Sequence, residues 1–186
     1  MLLLFALSFG VKGQLTTSTI NDLNFYADVI ANAGNPIHKQ RANDEFVKLF
    51  DIWVNSDQFN NGDLESIQWL SVKKPEDESF TLVTWQLLKG ESDNHYFGYL
   101  IKDGKAYKLT NSDNDEDLEY NVLGIDDWAG VMYYNILTVN KANENIYILF
   151  GYDAHKTYEN RKVADVLTFE DGNPVFGYEI FKKQKS

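Results

Sequence analysis

The chain has 186 residues, of which 44% are hydrophobic and 24% are charged, a length and balance that suit one globular domain with a substantial core. Its formal net charge of −11 argues against nucleic acid and anionic membrane surfaces as partners, because both are bound mainly through Lys and Arg. The sequence contains no cysteine, so disulfides, cysteine nucleophiles and thiolate metal sites are excluded.

The first residues, MLLLFALSFGVKG, predict a secretory signal peptide. The apolar run 2–9 is too short to span a bilayer, which takes about 20 residues, and small or neutral residues precede Gln14 at the −3 and −1 positions of a cleavage site. No Lys or Arg precedes the run, so either the true start lies upstream or the segment is a buried N-terminal strand or helix. We expect residues 1–13 to be a signal peptide and 14–186 one globular domain, exported to the periplasm or outside the cell.

Two helices are predicted in the first third of the mature chain, within residues 20–56. Apolar residues recur at helical spacing over 20–33, and Gly34-Asn35-Pro36 then ends the helix. A second amphipathic helix fits residues 40–55, with Phe46, Leu49, Phe50 and Trp53 on one face. An antiparallel helical hairpin follows from this spacing.

From residue 66 to 181 the hydrophobic period changes to two, which is typical of strands. The Asp103-Gly104 pair between two apolar runs predicts a type I′ hairpin turn, because both positions of that turn need positive φ. Pro174 should begin an edge strand or lie just outside the ladder, and residues 154–162 are interpreted as a nine-residue connection.

Consecutive strands without intervening helices pair antiparallel, since parallel pairs need long crossovers. The sequence therefore predicts an α+β fold that is mainly antiparallel β. We expect the N-terminal helical hairpin to pack on a meander-type sheet or on two β-sheets.

The acidic segment at residues 113–117 suggests a calcium site through Asp113, Asp115 and Asp117. The pattern departs from an EF-hand loop, because Leu118 stands where the loop needs Gly and Gly124 where it needs a bidentate Glu. A solvated charged loop is the alternative, and we expect no metal site there.

Catalytic signals are sparse. The weak catalytic candidates are His95, which lies two residues after Asp93 at the start of a predicted strand, and His155, which lies two residues after Asp153. Either histidine could pair with a carboxylate, but no serine lies in a nucleophile elbow. The chain also lacks a P-loop and a dinucleotide-binding glycine motif, so we expect no cofactor.

Several aromatic residues on predicted strands are candidates for a binding surface, because exposed rings stack on sugars or peptides and act as binding hot spots. The candidates are Trp85, Tyr99, Tyr134 and Tyr152. The alternative is that most of them belong to the core.

The C-terminal part resembles exported proteins of Bacteroidota-type bacteria, a group without an assigned activity. In that group a tyrosine pair starts one strand, a Leu-Gly-aromatic-Asp turn ends the next, and a Pro-X-Phe-Gly segment closes the sheet. The matching residues here are Tyr133-Tyr134-Asn135-Ile136, Leu149, Gly151-Tyr152-Asp153, Lys162, Val166-Leu167, Phe169, Pro174-Val175-Phe176-Gly177 and Ile180-Phe181. The resemblance spans about residues 80–181 and implies fold and export, but no chemistry. The chain departs from it at Tyr152, where the group has tryptophan, and in 154–161, which lacks the group's Gly-Asn character.

These observations favour an exported, non-enzymatic binding or structural module whose ligand is a carbohydrate or a protein. The first alternative is a hydrolase-type enzyme that uses His95 or His155 with acidic residues. The second is calcium binding through residues 113–117.

The signal-peptide assignment is testable with a secretion reporter. We expect residues 1–20 fused to a leaderless β-lactamase to give ampicillin resistance, because the apolar run directs export, and to yield an N-terminus at Gln14. N-terminal sequencing of the exported product checks the site. A matched fusion with Leu3→Lys and Leu4→Lys should give no resistance; equal resistance from both fusions would contradict the assignment.

Overall fold

A computed structural model describes residues 5–90, 94–111, 122–141, 144–156 and 159–177. Two α-helices come first, followed by eight strands in the described residues. The helices are α1 (Phe5–Asn32) and α2 (Pro36–Val54). The strands are β1 (Ser71–Lys73), β2 (Thr81–Leu88), β3 (Asn94–Lys102), β4 (Lys105–Leu109), β5 (Met132–Lys141), β6 (Glu144–Lys156), β7 (Glu159–Glu170) and β8 (Asn173–Phe176). The predicted α+β, mainly antiparallel fold is confirmed.

The chain forms two compact units, and the first consists of Met1–Leu70 with Leu87–Gly90. In it α1 and α2 pack on each other as a helical hairpin. The stripe Leu23, Ala27 and Ile30 of α1 is buried, as its helical spacing predicts. Two aromatic residues of α2, Phe46 and Phe50, are stacked with ring centroids 5.7 Å apart.

The boundaries of both helices differ from the prediction. Helix α2 begins at Pro36 instead of residue 40, because the side chain of Asn35 caps it by accepting the N–H of Ile37 at 2.9 Å and proline is favoured at the first helical position. Helix α1 begins at Phe5, so it includes part of the segment assigned to a signal peptide; that assignment stays a prediction. No helix in the described part of the chain combines the length and the apolar character needed to cross a membrane.

The second unit consists of Ser71–Gln86 and Glu91–Ser186. Strands β1–β4 form one four-stranded sheet and β5–β8 form another, each with its strands in sequence order. One apolar core joins the two sheets. Its buried residues are Phe80, Leu82, Tyr96, Leu100, Tyr107, Leu109, Trp128, Val131, Tyr133, Ile136, Tyr147, Leu149, Leu167 and Phe176.

The predicted hairpin turn is confirmed. Asp103 and Gly104 have φ values of 51° and 75°, and they connect Lys102 to its register partner Lys105. A second Asp-Gly pair, Asp171-Gly172, has positive φ values between β7 and β8. Pro174 lies in β8, which is an edge strand, as expected for a residue that cannot donate to a ladder.

Two strand predictions were wrong. The period-two stretch predicted from residue 66 begins with strand only at β1, because Asn61–Ser66 form a 3₁₀ helix that Ile67 caps. The connection expected at 154–162 is mostly strand, since β6 continues to Lys156 and β7 begins at Glu159. Residues of opposite formal charge are in register there, Asp153 with Arg161 and Lys156 with Glu159. The sequence at this end of the hairpin is polar and does not alternate between apolar and polar residues, so its pattern predicted a loop.

Gly151 provides a test of core packing. A Cβ added there would lie 2.1 Å from Val131 Cγ1 and 3.1 Å from Tyr133 Cδ1. We expect Gly151→Ala to lower the free energy of unfolding by about 1–3 kcal/mol, because overpacking forces side chains and backbone to shift. Urea denaturation measures the change.

The matched control is Gly124→Ala, because no atom lies within 4 Å of its added Cβ and its φ is −84°. It should leave stability unchanged or raise it slightly. Equal stability of Gly151→Ala and Gly124→Ala would contradict the close approach of β5 and β6.

Candidate functional site

The two sheets of the second unit are joined by hydrogen bonds at Tyr133. This residue lies at a β-bulge of β5, where the register with β6 shifts between Tyr133 and Asn135. Its main-chain N–H donates to Oγ1 of Thr84 at 3.2 Å, and its C=O accepts a hydrogen bond from Oγ of Ser71. Because Ser71 and Thr84 belong to β1 and β2, one residue of the second sheet is bonded to two strands of the first.

The phenol of Tyr133 continues this network inside the core. Nε1 of Trp128 donates to the Tyr133 hydroxyl at 3.0 Å, and the hydroxyl donates to Oδ2 of Asp165 at 2.7 Å. The other carboxylate oxygen of Asp165 accepts the N–H of Val166 at 2.7 Å. Trp128 and Tyr133 are both fully buried, and each polar atom of this chain of bonds has a partner.

Burial shifts the pKa values of both ionisable members. It raises the pKa of Tyr133 well above its ordinary value, and the nearby Asp165 carboxylate adds to the shift. Burial also raises the pKa of the Asp165 carboxyl, against the opposing effect of the hydrogen bonds from Tyr133 and Val166. A fully buried phenol has no access to a substrate, so this group stabilises the core of the second sheet and is not a reaction centre.

The structure brings the segments of His95 and Asp153 together, but through other residues. The hydroxyl of Tyr96 donates to Oδ1 of Asp153 at 3.0 Å and accepts the N–H of Ala154 at 2.7 Å. Nδ2 of Asn94 donates to the C=O of Ala154. Burial raises the pKa of Tyr96, and the Asp153 charge contributes in the same direction.

His95 itself is exposed at the start of β3. Its neighbours Asn94 and Tyr96 bond to β6, and successive side chains of a strand point to opposite faces. His155 lies in β6, and its side chain is outside the described part. Asp153 of β6 is therefore joined to β3 through its hydrogen bond from the Tyr96 hydroxyl.

A third group connects the turn before β2 with β6. The carboxylate of Asp77 accepts hydrogen bonds from the Tyr147 hydroxyl at 2.9 Å, Nδ2 of Asn145 at 2.8 Å and the N–H of Ser79 at 3.1 Å. Burial acts to raise the pKa of Asp77, but these hydrogen bonds outweigh it and the pKa is lowered. The resulting stabilisation is present above the ordinary carboxyl pKa and is lost as the pH falls through the lowered value.

The aromatic candidates separate into two pairs. Trp85 and Tyr99 are stacked on each other, with ring centroids 6.1 Å apart, and have exposed fractions of only 2% and 1%. Their ring faces are not accessible. Tyr134 is 49% exposed and Tyr152 is partly buried, so the accessible candidates both belong to the second sheet.

The second sheet has an apolar face directed away from the core of its unit. Core residues such as Ile136, Tyr147 and Leu149 alternate along β5 and β6 with residues that point to the opposite side. The apolar residues of that opposite side, together called the outer face, are Leu137, Val139, Ile146, Ile148, Phe150, Tyr152 and Val166. The polar Asn135 and Lys162 lie on the same side, in register with Phe150 and Tyr152.

Cross-strand pairing makes the outer face continuous. Leu137, Ile148 and Val166 are register partners across three strands, and Val139 is paired with Ile146. Leu137 and Val139 are 45% and 36% exposed. Ile146 and Val166 are buried, and Ile148 and Phe150 are partly buried. The accessible apolar part of the outer face is therefore the pair Leu137 and Val139 on β5, and this pair is a candidate contact surface.

No metal centre is apparent where the structure can be described. Within residues 5–90, 94–111, 122–141, 144–156 and 159–177, no three His, Cys, Asp or Glu side chains cluster to hold an ion. Asp113, Asp115 and Asp117 lie outside the described residues, so the calcium hypothesis stays a prediction.

The sequence did not single out Tyr133 or the outer face. The alternation Leu137, Val139 against Ile136, Thr138 is visible in the sequence, but it does not say which set faces the core. Comparison of the chain with protein-family models, with curated protein sequences and with solved structures gave no match.

The pH dependence of stability tests the buried Asp165. We expect Asp165→Asn to differ from the wild type in a pH-dependent way, because the pKa of Asp165 is raised in the folded state. The stability that the protonated carboxyl contributes is fully present below the ordinary pKa of about 3.9 and is lost as the pH rises through the raised value.

Urea denaturation of both proteins from acid to neutral pH measures this difference. The free energy of unfolding of the wild type, relative to Asp165→Asn, should fall as the pH rises. A relative stability that increases with pH would show that Asp165 is stabilised as a carboxylate and would contradict the assignment.

Proposed function

We propose that the protein is an exported, non-enzymatic binding or structural module that contacts a protein partner through the outer face. The observation that carries this proposal is the exposed apolar pair Leu137 and Val139 on a sheet whose other face already packs in the core. Apolar patches of this kind on a folded chain mark interaction surfaces.

The chemistry of the outer face favours a protein over a carbohydrate. Its exposed residues, Leu137 and Val139, are both aliphatic, whereas the aromatic Tyr152 is partly buried and the exposed Tyr134 lies at the bulge beside it. Sugars are bound by aromatic rings flanked by hydrogen-bonding groups, while aliphatic rows bury area against other apolar side chains.

The hydrolase alternative has less support from the described geometry. Its acidic candidate, Asp153, accepts a hydrogen bond from a buried tyrosine, and the buried group at Tyr133 has no substrate access. Export rests on the N-terminal apolar run and on the resemblance over residues 80–181.

Panning a phage-displayed peptide library on the immobilised protein tests the proposal. We expect enrichment of peptides rich in apolar residues, and their affinity should fall by at least about tenfold in Phe150→Ser, because the partner loses apolar contact in the middle of the sheet. Phe150 lies in β6, so the change leaves β5 intact.

The matched control is Ile52→Ser on α2, where the side chain is 64% exposed; peptide affinity should be unchanged. Cellohexaose and chitohexaose serve as carbohydrate probes in the same assay. Enrichment of no peptide, equal binding to both variants, or binding of the oligosaccharides alone would contradict the proposal.

A further inference from the structure

The two edges of the second sheet differ in how they are covered. At one edge, Phe176 of β8 exchanges main-chain hydrogen bonds of 2.8 Å with Leu123, and Pro174 removes a donor. At the other edge, the bonds among the described residues lie in the N-terminal part of β5, where Tyr133 is bonded to Ser71 and Thr84 and β1 packs against the strand. Residues 136–140 of β5 continue beyond these bonds.

The main chain of this segment has unpaired groups at alternate residues. The N–H and C=O of Tyr133 point away from β6, and its partner is Gly151. Alternation along β6 then places the outward groups of β5 at Ile136, Thr138 and Asn140. Within the part of the chain that the structure describes, these main-chain groups have no hydrogen-bond partner.

The segment also lacks the features that protect sheet edges. Edge strands usually carry charges, proline or a covering element, but residues 131–140 contain neither a charged residue nor a proline. The side chains of Leu137 and Val139, which lie on the outer face, are exposed. Residues 136–140 therefore contain no charge and no proline that would oppose pairing with another strand.

We propose that a second copy of this chain pairs antiparallel with β5, on a two-fold axis at Thr138. Two Thr138 residues exchange main-chain hydrogen bonds, and Ile136 of each copy does so with Asn140 of the other. On the outer face, Leu137 of each copy lies opposite Val139 of the other. The β5–β8 sheets of the two copies then form one sheet of eight strands.

The side chains select this register over its neighbours. An axis at Leu137 would place Val139 opposite the polar Asn135, and an axis at Val139 would place Leu137 opposite Lys141. Only the axis at Thr138 pairs both exposed apolar residues with each other, and apolar cross-strand pairs stabilise a sheet.

Charge favours the same segment as the contact. Each copy has a formal net charge of −11, so most of its surface repels a second copy, whereas the uncharged stretch 131–140 can approach itself without placing like charges opposite each other. Salt at physiological strength screens the remaining repulsion beyond about 8 Å. Dimerisation should therefore strengthen as salt increases.

The dimer extends the proposed function and rests on it in one respect, because it joins two outer faces into one larger contact surface. The two claims fail separately. A monomer that still binds the panned peptides would overturn the dimer alone, and a dimer that binds no peptide would overturn the peptide-binding claim alone.

Disulfide crosslinking tests the register directly, since the chain contains no cysteine. Leu137→Cys and tagged Val139→Cys are mixed and oxidised. Their Cα atoms would be about 4.5–5.5 Å apart across the dimer, within disulfide range, whereas two Leu137 residues would be diagonal neighbours about 7–8 Å apart. We expect a crosslinked heterodimer in the mixture and little product from either variant alone. No product in the mixture, or equal product from Leu137→Cys alone, overturns the proposed dimer.

Light scattering coupled to gel filtration, at high protein concentration and high salt, tests the surface without cysteine. The wild type should have twice the mass of one chain. Leu137→Lys should raise the dissociation constant by about tenfold to 100-fold, because a charge on an edge strand opposes pairing. Ile52→Lys is the control and should remain dimeric. A monomeric wild type, or equal weakening by both variants, contradicts the proposal.

Discussion

The hydrogen bonds of Tyr133 are the constraint on which the second unit depends. Its main chain is bonded to Ser71 and Thr84 of the first sheet. Its hydroxyl connects Trp128 to Asp165, which lies in the same sheet as Tyr133. Burying a phenol, an indole N–H and a carboxyl costs free energy unless every group has a partner. The network satisfies these groups together and thereby fixes how the bulged end of β5 meets the first sheet.

That attachment explains why the two halves of β5 differ. At the bulge, the main-chain groups of Tyr133 that point away from β6 are bonded to hydroxyl side chains. The corresponding groups of Ile136, Thr138 and Asn140 have no partner among the described residues. Because Tyr133 and Leu149 point into the core, the exposed Leu137 and Val139 point to the opposite side of the sheet. An acidic protein that is repelled by its own surface elsewhere has here an uncharged, apolar strand with open hydrogen-bonding groups.

The sequence predicted most helices and strands correctly, but it did not distinguish the buried aromatic residues from the exposed ones. The helical hairpin, the antiparallel meanders and the Asp103-Gly104 turn follow from local periodicity and turn chemistry. The β6–β7 hairpin was predicted to be a loop because the sequence there has no alternation of apolar and polar residues. Trp85 and Tyr99 were candidates for a binding surface because aromatic strand residues look alike in sequence whether they are buried or exposed. The role of Tyr133 depends on Ser71, Thr84 and Asp165, which are distant in sequence, so no local pattern could reveal it.

A double-mutant cycle with Tyr133→Phe and Asp165→Asn tests the central role of the Tyr133 hydroxyl most directly. The free energies of unfolding of the wild type, both single variants and the double variant are measured by urea denaturation at neutral pH. Because the Tyr133 hydroxyl and the Asp165 carboxyl share a 2.7 Å hydrogen bond, we expect a coupling energy of about 0.5–3 kcal/mol between the two substitutions. Additive effects, with no coupling beyond experimental error, would contradict the claim that this bond stabilises the bulged end of β5 against β7.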